Sequence, residues 1–220
     1  MGGGRNKVFR RLQGRPLLQY TLSAFQCAPQ VRRIVVVTRE EDRPPLDALI
    51  QEAGLSKAAG HYAPGGASRA DSVLSGLAYL QQAGAPSWVL VQDAARPFVR
   101  HAMIQGSLEA ARRTGASVVA IPVRDTVKEA GEEALLVRTL DRRRLWQIQT
   151  PQTFRFDLLW EAYQRIPPGD RSGWTDDAMV LEAQGVYAAI VPGDWTNLKI
   201  TTPEDLLWAE MILERQPFSP

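Results

Sequence analysis

Trp88–Arg100 reads WVLVQDAARPFVR, and the order of chemistries along it decides the architecture. Trp88, Val89, Leu90 and Val91 are apolar and favour extended backbone. They are expected to form a short strand buried on both faces of a parallel sheet. Polarity then switches at once to Gln92 and Asp93, and Pro97, which has no N–H, stops any strand ladder. The strand thus ends in a carboxylate, at the place where open α/β sheets bind ligands. Arg96, three positions on, can hold an anion beside a cation held by Asp93. A surface turn with Asp93 capping the next helix is the bland alternative. The strand-end position favours Asp93 as a ligand to a hard divalent cation such as magnesium, which takes carboxylate oxygens and keeps waters and substrate phosphates.

Working outward, apolar strands alternate with helices. Pro16 to Gln26 predicts a helix with a broad apolar face, and RIVVVT at Arg33–Thr38 predicts a strand. A second helix spans Pro45–Ala53 and ends at Gly54, and a third enters from Ser68 after the turn Gly65-Gly66. Ser68 and Asp71 stand at capping-box spacing. Beyond the central strand come a helix over Ala102–Thr114, a strand over Ala116–Pro122, a helix over Phe156–Arg165, a short helix from Asp176, a strand over Val186–Val191 and a closing helix over Pro203–Arg215. Such alternation predicts an α/β fold, a mostly parallel sheet with helices on both faces. Residues 124–150 break the pattern. Two alternating flanks around Gly131 suit a protruding β-arm, too polar for the core and in need of a partner, a second copy of the chain. The first helix has no strand ahead of it, so the alternation begins mid-unit.

The bulk numbers restrict the function. The chain of 220 residues is long enough for one large domain with a substantial core, or for two small ones. Lys and Arg number 26 against 24 Asp and Glu, a net charge of +2, which argues against a dedicated nucleic-acid binder. The lone Cys27 excludes an internal disulfide and fits a reducing compartment. No run of 18 apolar residues and no apolar signal core is present, so no membrane partner is expected and the expected compartment is the cytoplasm.

Other stretches carry chemistry with ordinary readings beside it. GGASRADS at 65–72 lets backbone approach a planar or anionic ligand, or is a loop with a capping box. Lys7, in the glycine-rich opening, is a phosphate clamp or solvated tail. Thr175-Asp176-Asp177 is explained by helix capping alone. Lys199, just before the helix start TTPED, is not explained by capping, and a solvated lysine is its ordinary reading. His61 and His101 lack ligand-like spacing and receive no role.

Taken in order, GGASRADSVLSGL, LVQDAARPF, PVRDT, LWQIQTPQTF, TDDA and NLKITTPEDL resemble the 2-C-methyl-D-erythritol 4-phosphate cytidylyltransferase family, from about Lys7 to the final helix. The resemblance implies a Rossmann-like domain over 1–220 with a dimerisation arm at about 124–150. It implies transfer of a cytidylyl group from CTP to methylerythritol phosphate, with magnesium. Asp93 resembles the metal-binding aspartate, and Lys7 and Lys199 the two lysines at the triphosphate and reacting phosphate. Gly66, Asp71 and Ser72 fall in the cytosine loop, with Ala94 beside the ribose. Arg96, Thr150, Thr175 and Asp176 resemble the sugar-phosphate pocket, and Thr126 and Arg142 arm residues that reach the neighbouring subunit's substrate in a homodimer. The family's opening strand and its Ala-Ala-Gly-x-Gly-x-Arg-Met loop have no counterpart here, because Met1 falls where that methionine stands. The expectation is that roughly 20 residues, a strand and a loop, lie upstream of it. Two other functions fit the same motifs: a cytidylyltransferase for ribitol phosphate or another sugar-alcohol phosphate, and an inactive nucleotide-binding homologue.

Overall fold

In a computed structural model, residues 6–215 are described. A tight hairpin, β1 (Arg11–Leu12) and β2 (Arg15–Pro16), leads into α1 (Leu17–Cys27). β3 (Val36–Thr38), α2 (Arg43–Glu52), β4 (Tyr62–Pro64) and α3 (Arg69–Gln82) follow. Then come β5 (Trp88–Val91), α4 (His101–Thr114) and β6 (Ala116–Pro122). The arm is the antiparallel pair β7 (Lys128–Ala130) and β8 (Leu136–Thr139). The chain returns through β9 (Trp146–Arg155) to α5 (Phe156–Gln164), α6 (Asp177–Glu182), β10 (Ala189–Pro192) and α7 (Pro203–Arg215).

The main sheet has the order β10-β6-β9-β5. β10 and β6 are parallel, whereas β9 is antiparallel to both β6 and β5. β3 and β4 form a separate parallel pair. The expected α/β architecture is present as a mixed sheet. Val89, Phe154 and Ala116 lie side by side in the register and pack with Leu77, Leu159, Tyr163 and Leu181 of α3, α5 and α6. Leu90, Val119 and Val191 belong to the other cluster, with Phe25 of α1 and Ile104 of α4. Alternation along each strand thus sends successive side chains to opposite helical layers.

The broad apolar face of α1 serves three cores. Leu17 and Tyr20 join Leu213 of α7, Leu18 and Leu22 join Leu46 and Leu49 of α2, and Ala24 and Phe25 face α4. Of the expected doubly buried strand Trp88–Val91, only Val89 is fully buried, since β5 pairs with β9 on one edge alone among the described residues. The strand expected over Arg33–Thr38 shortens to Val36–Thr38, and that over Val186–Val191 shifts to Ala189–Pro192.

β9 departs most from expectation. Its first half falls within the expected arm, and Pro151 argues against a central strand. The register explains both. Val118 pairs with Gln152 and Ala120 with Ile148, so Gln149, Thr150 and Pro151 lie opposite one β6 residue. Such a bulge spares Pro151 a ladder N–H and redirects the residues before it.

Candidate active site

The pocket lies beyond the carboxyl end of β5, with a volume of about 170 Å³. Its walls are Asp93 and Arg96, Gln149, Thr150 and Gln152 of the β9 bulge, Thr175 and Asp176 before α6, Lys199 before α7, and Arg69 at the start of α3. Asp93 is fixed from below, its N–H donating to Thr150 Oγ1 at 3.1 Å. Its Oδ2 accepts from Arg96 Nε at 3.2 Å and stands 3.1 Å from Lys199 Nζ. Arg96 spans the floor, donating from Nη1 to the Asn197 carbonyl at 2.8 Å and from Nη2 to that of Ile148 at 3.3 Å. Burial pulls its guanidinium below the ordinary value, and Asp93 opposes that pull. Two carbonyls and a carboxylate keep a cation in a place where desolvation alone would expel it.

Asn197 ties the floor together. Fully buried, it donates from Nδ2 to the Thr150 carbonyl at 3.1 Å and to Gln149 Oε1 at 3.2 Å, and Gln149 donates to the Asp194 carbonyl at 2.9 Å. Arg69 forms the far wall. Its Nη1 and Nη2 donate to the two oxygens of Asp177 at 3.0 and 2.6 Å. Burial works against the Arg69 charge, but hydrogen bonding and attraction to Asp177 outweigh it and hold the guanidinium above its ordinary value.

Six sequence-predicted residues therefore meet in one pocket: Asp93, Arg96, Thr150, Thr175, Asp176 and Lys199. Asp176 is also the N-cap of α6, accepting from the Met179 N–H at 2.8 Å. Gly66, Asp71 and Ser72 lie outside its lining and build the neighbouring loop. Ser68 and Asp71 complete the capping box, Arg171 donates to Asp71 at 3.1 Å, and Ser72 Oγ accepts from the Gly66 N–H at 3.0 Å. A Cβ on Gly66 would overlap Asp71 Cβ and sit 2.7 Å from the Asp71 carbonyl carbon, so only glycine allows this approach. Ala94 is part of the turn after β5, its carbonyl accepting from Thr21 Oγ1 at 2.9 Å.

Lys7, on a single 3-10 turn ahead of β1, is exposed and is not brought into the pocket. Thr126 and Arg142 are exposed on the arm, Arg142 Nη1 donating to the Arg124 carbonyl at 2.6 Å, and they too are not part of this chain's pocket. Arg69, Gln149 and Gln152 line the pocket and Asn197 braces its floor, yet sequence reasoning gave none of them a role. Arg69 opens α3 and Asn197 lies in a polar loop, where polarity carries no signal; only the glutamines flanking Thr150-Pro151 stand out, as polar residues within a strand.

Among the described residues no group of three or more His, Cys, Asp or Glu side chains is placed to hold a metal by itself. Asp93, half-buried beside cations with Asp176 as the second carboxylate of the pocket, does not make a structural metal site. It does fit magnesium, which is held through one or two carboxylates while substrate phosphates and waters fill the other positions.

The sequence profile of the 2-C-methyl-D-erythritol 4-phosphate cytidylyltransferase family matches residues 1–215. A curated member from Dehalococcoides mccartyi strain 195 is 43% identical over 213 residues, covering 97% of this chain and 90% of its own. One from Bacillus mycoides is 41% identical over 216 residues, covering 98% and 93%. Among solved structures, the 2-C-methyl-D-erythritol 4-phosphate cytidylyltransferase of Thermus thermophilus superposes with a TM-score of 0.76 at 37% identity, over 94% of each chain. The 4-diphosphocytidyl-2C-methyl-D-erythritol synthase of Anaerococcus prevotii superposes with a TM-score of 0.85 at 27% identity, over 94% and 93%.

Proposed function

The chain belongs to the 2-C-methyl-D-erythritol 4-phosphate cytidylyltransferase family, and from that premise we propose that it transfers the cytidylyl group of CTP to methylerythritol phosphate for isoprenoid synthesis. The observation that carries the reading is the convergence of Asp93, Arg96 and Lys199 in one pocket walled by polyol-compatible polar groups. An oxygen of the sugar phosphate attacks the α-phosphorus of CTP in line. The new P–O bond forms as the bond to the bridging oxygen breaks, and pyrophosphate leaves. This chemistry asks the protein for positioning and for cations facing the charge that builds up.

Each residue then has a task. Asp93 holds magnesium, which when bound screens the triphosphate. Lys199 faces the reacting phosphate, and Arg96 anchors the acceptor phosphate from a floor that cannot swing away. Thr150, Thr175 and Asp176 offer the acceptor hydroxyls fixed partners. The loop of Gly66, Asp71 and Ser72 presents backbone to cytosine, with Ala94 beside the ribose. Lys7 binds the triphosphate from the exposed turn. The arm supplies Thr126 and Arg142 to the partner's pocket in a homodimer.

Pyrophosphate release with CTP, magnesium and a panel of sugar-alcohol phosphates tests the reading. Turnover is expected with methylerythritol phosphate. Turnover with ribitol phosphate and none with methylerythritol phosphate would refute the choice of acceptor. CTP binding by calorimetry without turnover on any acceptor would point to an inactive homologue.

A further inference from the structure

One charged pair at the pocket is not used by the reaction as proposed. Asp177 is fully buried, yet it faces the pocket through Arg69. Its Oδ1 accepts from Arg69 Nη1 at 3.0 Å and from Tyr163 Oη at 2.5 Å, and its Oδ2 accepts from Arg69 Nη2 at 2.6 Å. Below it, Gln152 Oε1 accepts from the N–H groups of Asp177 and Ala178, both at 3.1 Å. Four elements thus meet at this one residue: α3 through Arg69, α5 through Tyr163, β9 through Gln152 and α6 itself.

The arrangement separates Arg69 from the other cations. Arg96 and Lys199 share one oxygen of one carboxylate, so positive charge is in surplus around Asp93 for phosphate, while Asp176, the other carboxylate of the pocket, caps α6. The charge of Arg69 is matched by its own bidentate carboxylate. What it still offers the pocket is a set of N–H donors in a fixed plane, since a guanidinium carries five. Directional donors with little net charge suit hydroxyl oxygens better than phosphate.

We infer that Arg69 is a binding residue for the hydroxylated carbon chain of the acceptor, and that Asp177, itself held by Tyr163 and Gln152, is the positioning residue that sets the plane of its donors. The inference rests on the proposed acceptor, a sugar-alcohol phosphate. A role that is only structural would move both substrates together. A positioning role moves one part of one substrate.

The test compares wild type with Arg69→Met, Asp177→Asn and Tyr163→Phe. The readouts are KM for CTP, KM for methylerythritol phosphate, and inhibition by inorganic phosphate. Arg69→Met is expected to raise the acceptor KM about tenfold or more, the loss of a hydrogen bond from a charged donor. KM for CTP and inhibition by phosphate are expected to change less than about twofold, since Arg96 and Lys199 remain. Asp177→Asn and Tyr163→Phe are expected to follow in the same direction with smaller shifts. If Asp177→Asn does not fold, Tyr163→Phe carries the positioning test, because it removes a single hydroxyl. Equal weakening toward inorganic phosphate and the acceptor would overturn the hydroxyl assignment. An unchanged acceptor KM in Arg69→Met would overturn the inference entirely, as would an unchanged one in Tyr163→Phe for the positioning part. No turnover by wild type with methylerythritol phosphate would instead be a failure of the proposed acceptor.

Discussion

Asp93 lies at the centre of the pocket because three independent features hold it. Its N–H is bound to Thr150, its Oδ2 faces two cations, and Pro97 stops the strand from running on. Removing the carboxylate frees Arg96 and Lys199 as well as a metal ligand. Asp93→Ala is therefore expected to lower turnover by about 10²–10³ or more, by analogy with losing one preorganised transition-state contact. Calorimetry is expected to show CTP binding that no longer responds to magnesium. Unchanged kinetics would remove Asp93 from the mechanism. Its position was legible in advance because a strand end is a defined place in an α/β fold. Gln149 and Asn197 were not legible in the same way. Their importance comes from whom they touch across 48 positions of chain, and no local pattern encodes that.

At the level of elements, the start of α3 shows how a loop is prepared for a ligand. The Ser68–Asp71 capping box closes the first turn, and Gly66 packs under it with no room for a side chain. Ser68→Ala is expected to cost about 1 kcal/mol of stability, the usual value of an N-cap, measurable by denaturant unfolding. Gly66→Ala is expected to raise KM for CTP while leaving the acceptor KM nearly unchanged, because it displaces backbone on the nucleotide side. The Ser68 hydrogen bonds, then Arg171, hold Asp71 below the ordinary carboxylate range. A depressed pKa means stabilisation that is full above the unfolded-state value and lost as pH falls through the folded one. The gap in Tm between wild type and Asp71→Asn is thus expected to be constant near neutral pH and to narrow below the ordinary value of 3.8. A gap that widened in acid would contradict this. β9 is the counterexample of legibility. Its first half falls within the residues expected to form the arm, and the bulge that spares Pro151 a ladder N–H depends on β6, a separate strand.

The whole molecule poses the question of the arm. Every residue of β7 and β8 is exposed, and Leu135, Leu136 and Val137 are each about two-thirds exposed. Apolar groups concentrated on a projecting hairpin are costly unless something covers them. A second copy of the chain would do so and would bring Arg142 and Thr126 to the partner's pocket. Arg142→Ala is expected to raise the acceptor KM more than the CTP KM. At low acceptor concentration, mixed dimers of Asp93→Ala and Arg142→Ala chains are expected to be more active than either homodimer, because one pocket of each mixed dimer is intact. Mixed dimers no more active than the homodimers would argue against sharing across subunits. Among the described residues no helix is long and apolar enough to cross a membrane.

The sequence by itself determined the alternation of helices and strands, the helix caps, the polar arm and the placing of Asp93 at a strand end. Each of these follows from local chemistry: apolar periodicity, capping side chains, and residues that cannot continue a ladder. Only the tertiary structure decided that β9 runs antiparallel between β5 and β6, that its bulge turns Gln149 and Thr150 to the pocket, and that Arg69 is held by Asp177 from 108 positions away. These are pairings between distant segments, and their stability comes from partners that local sequence does not name.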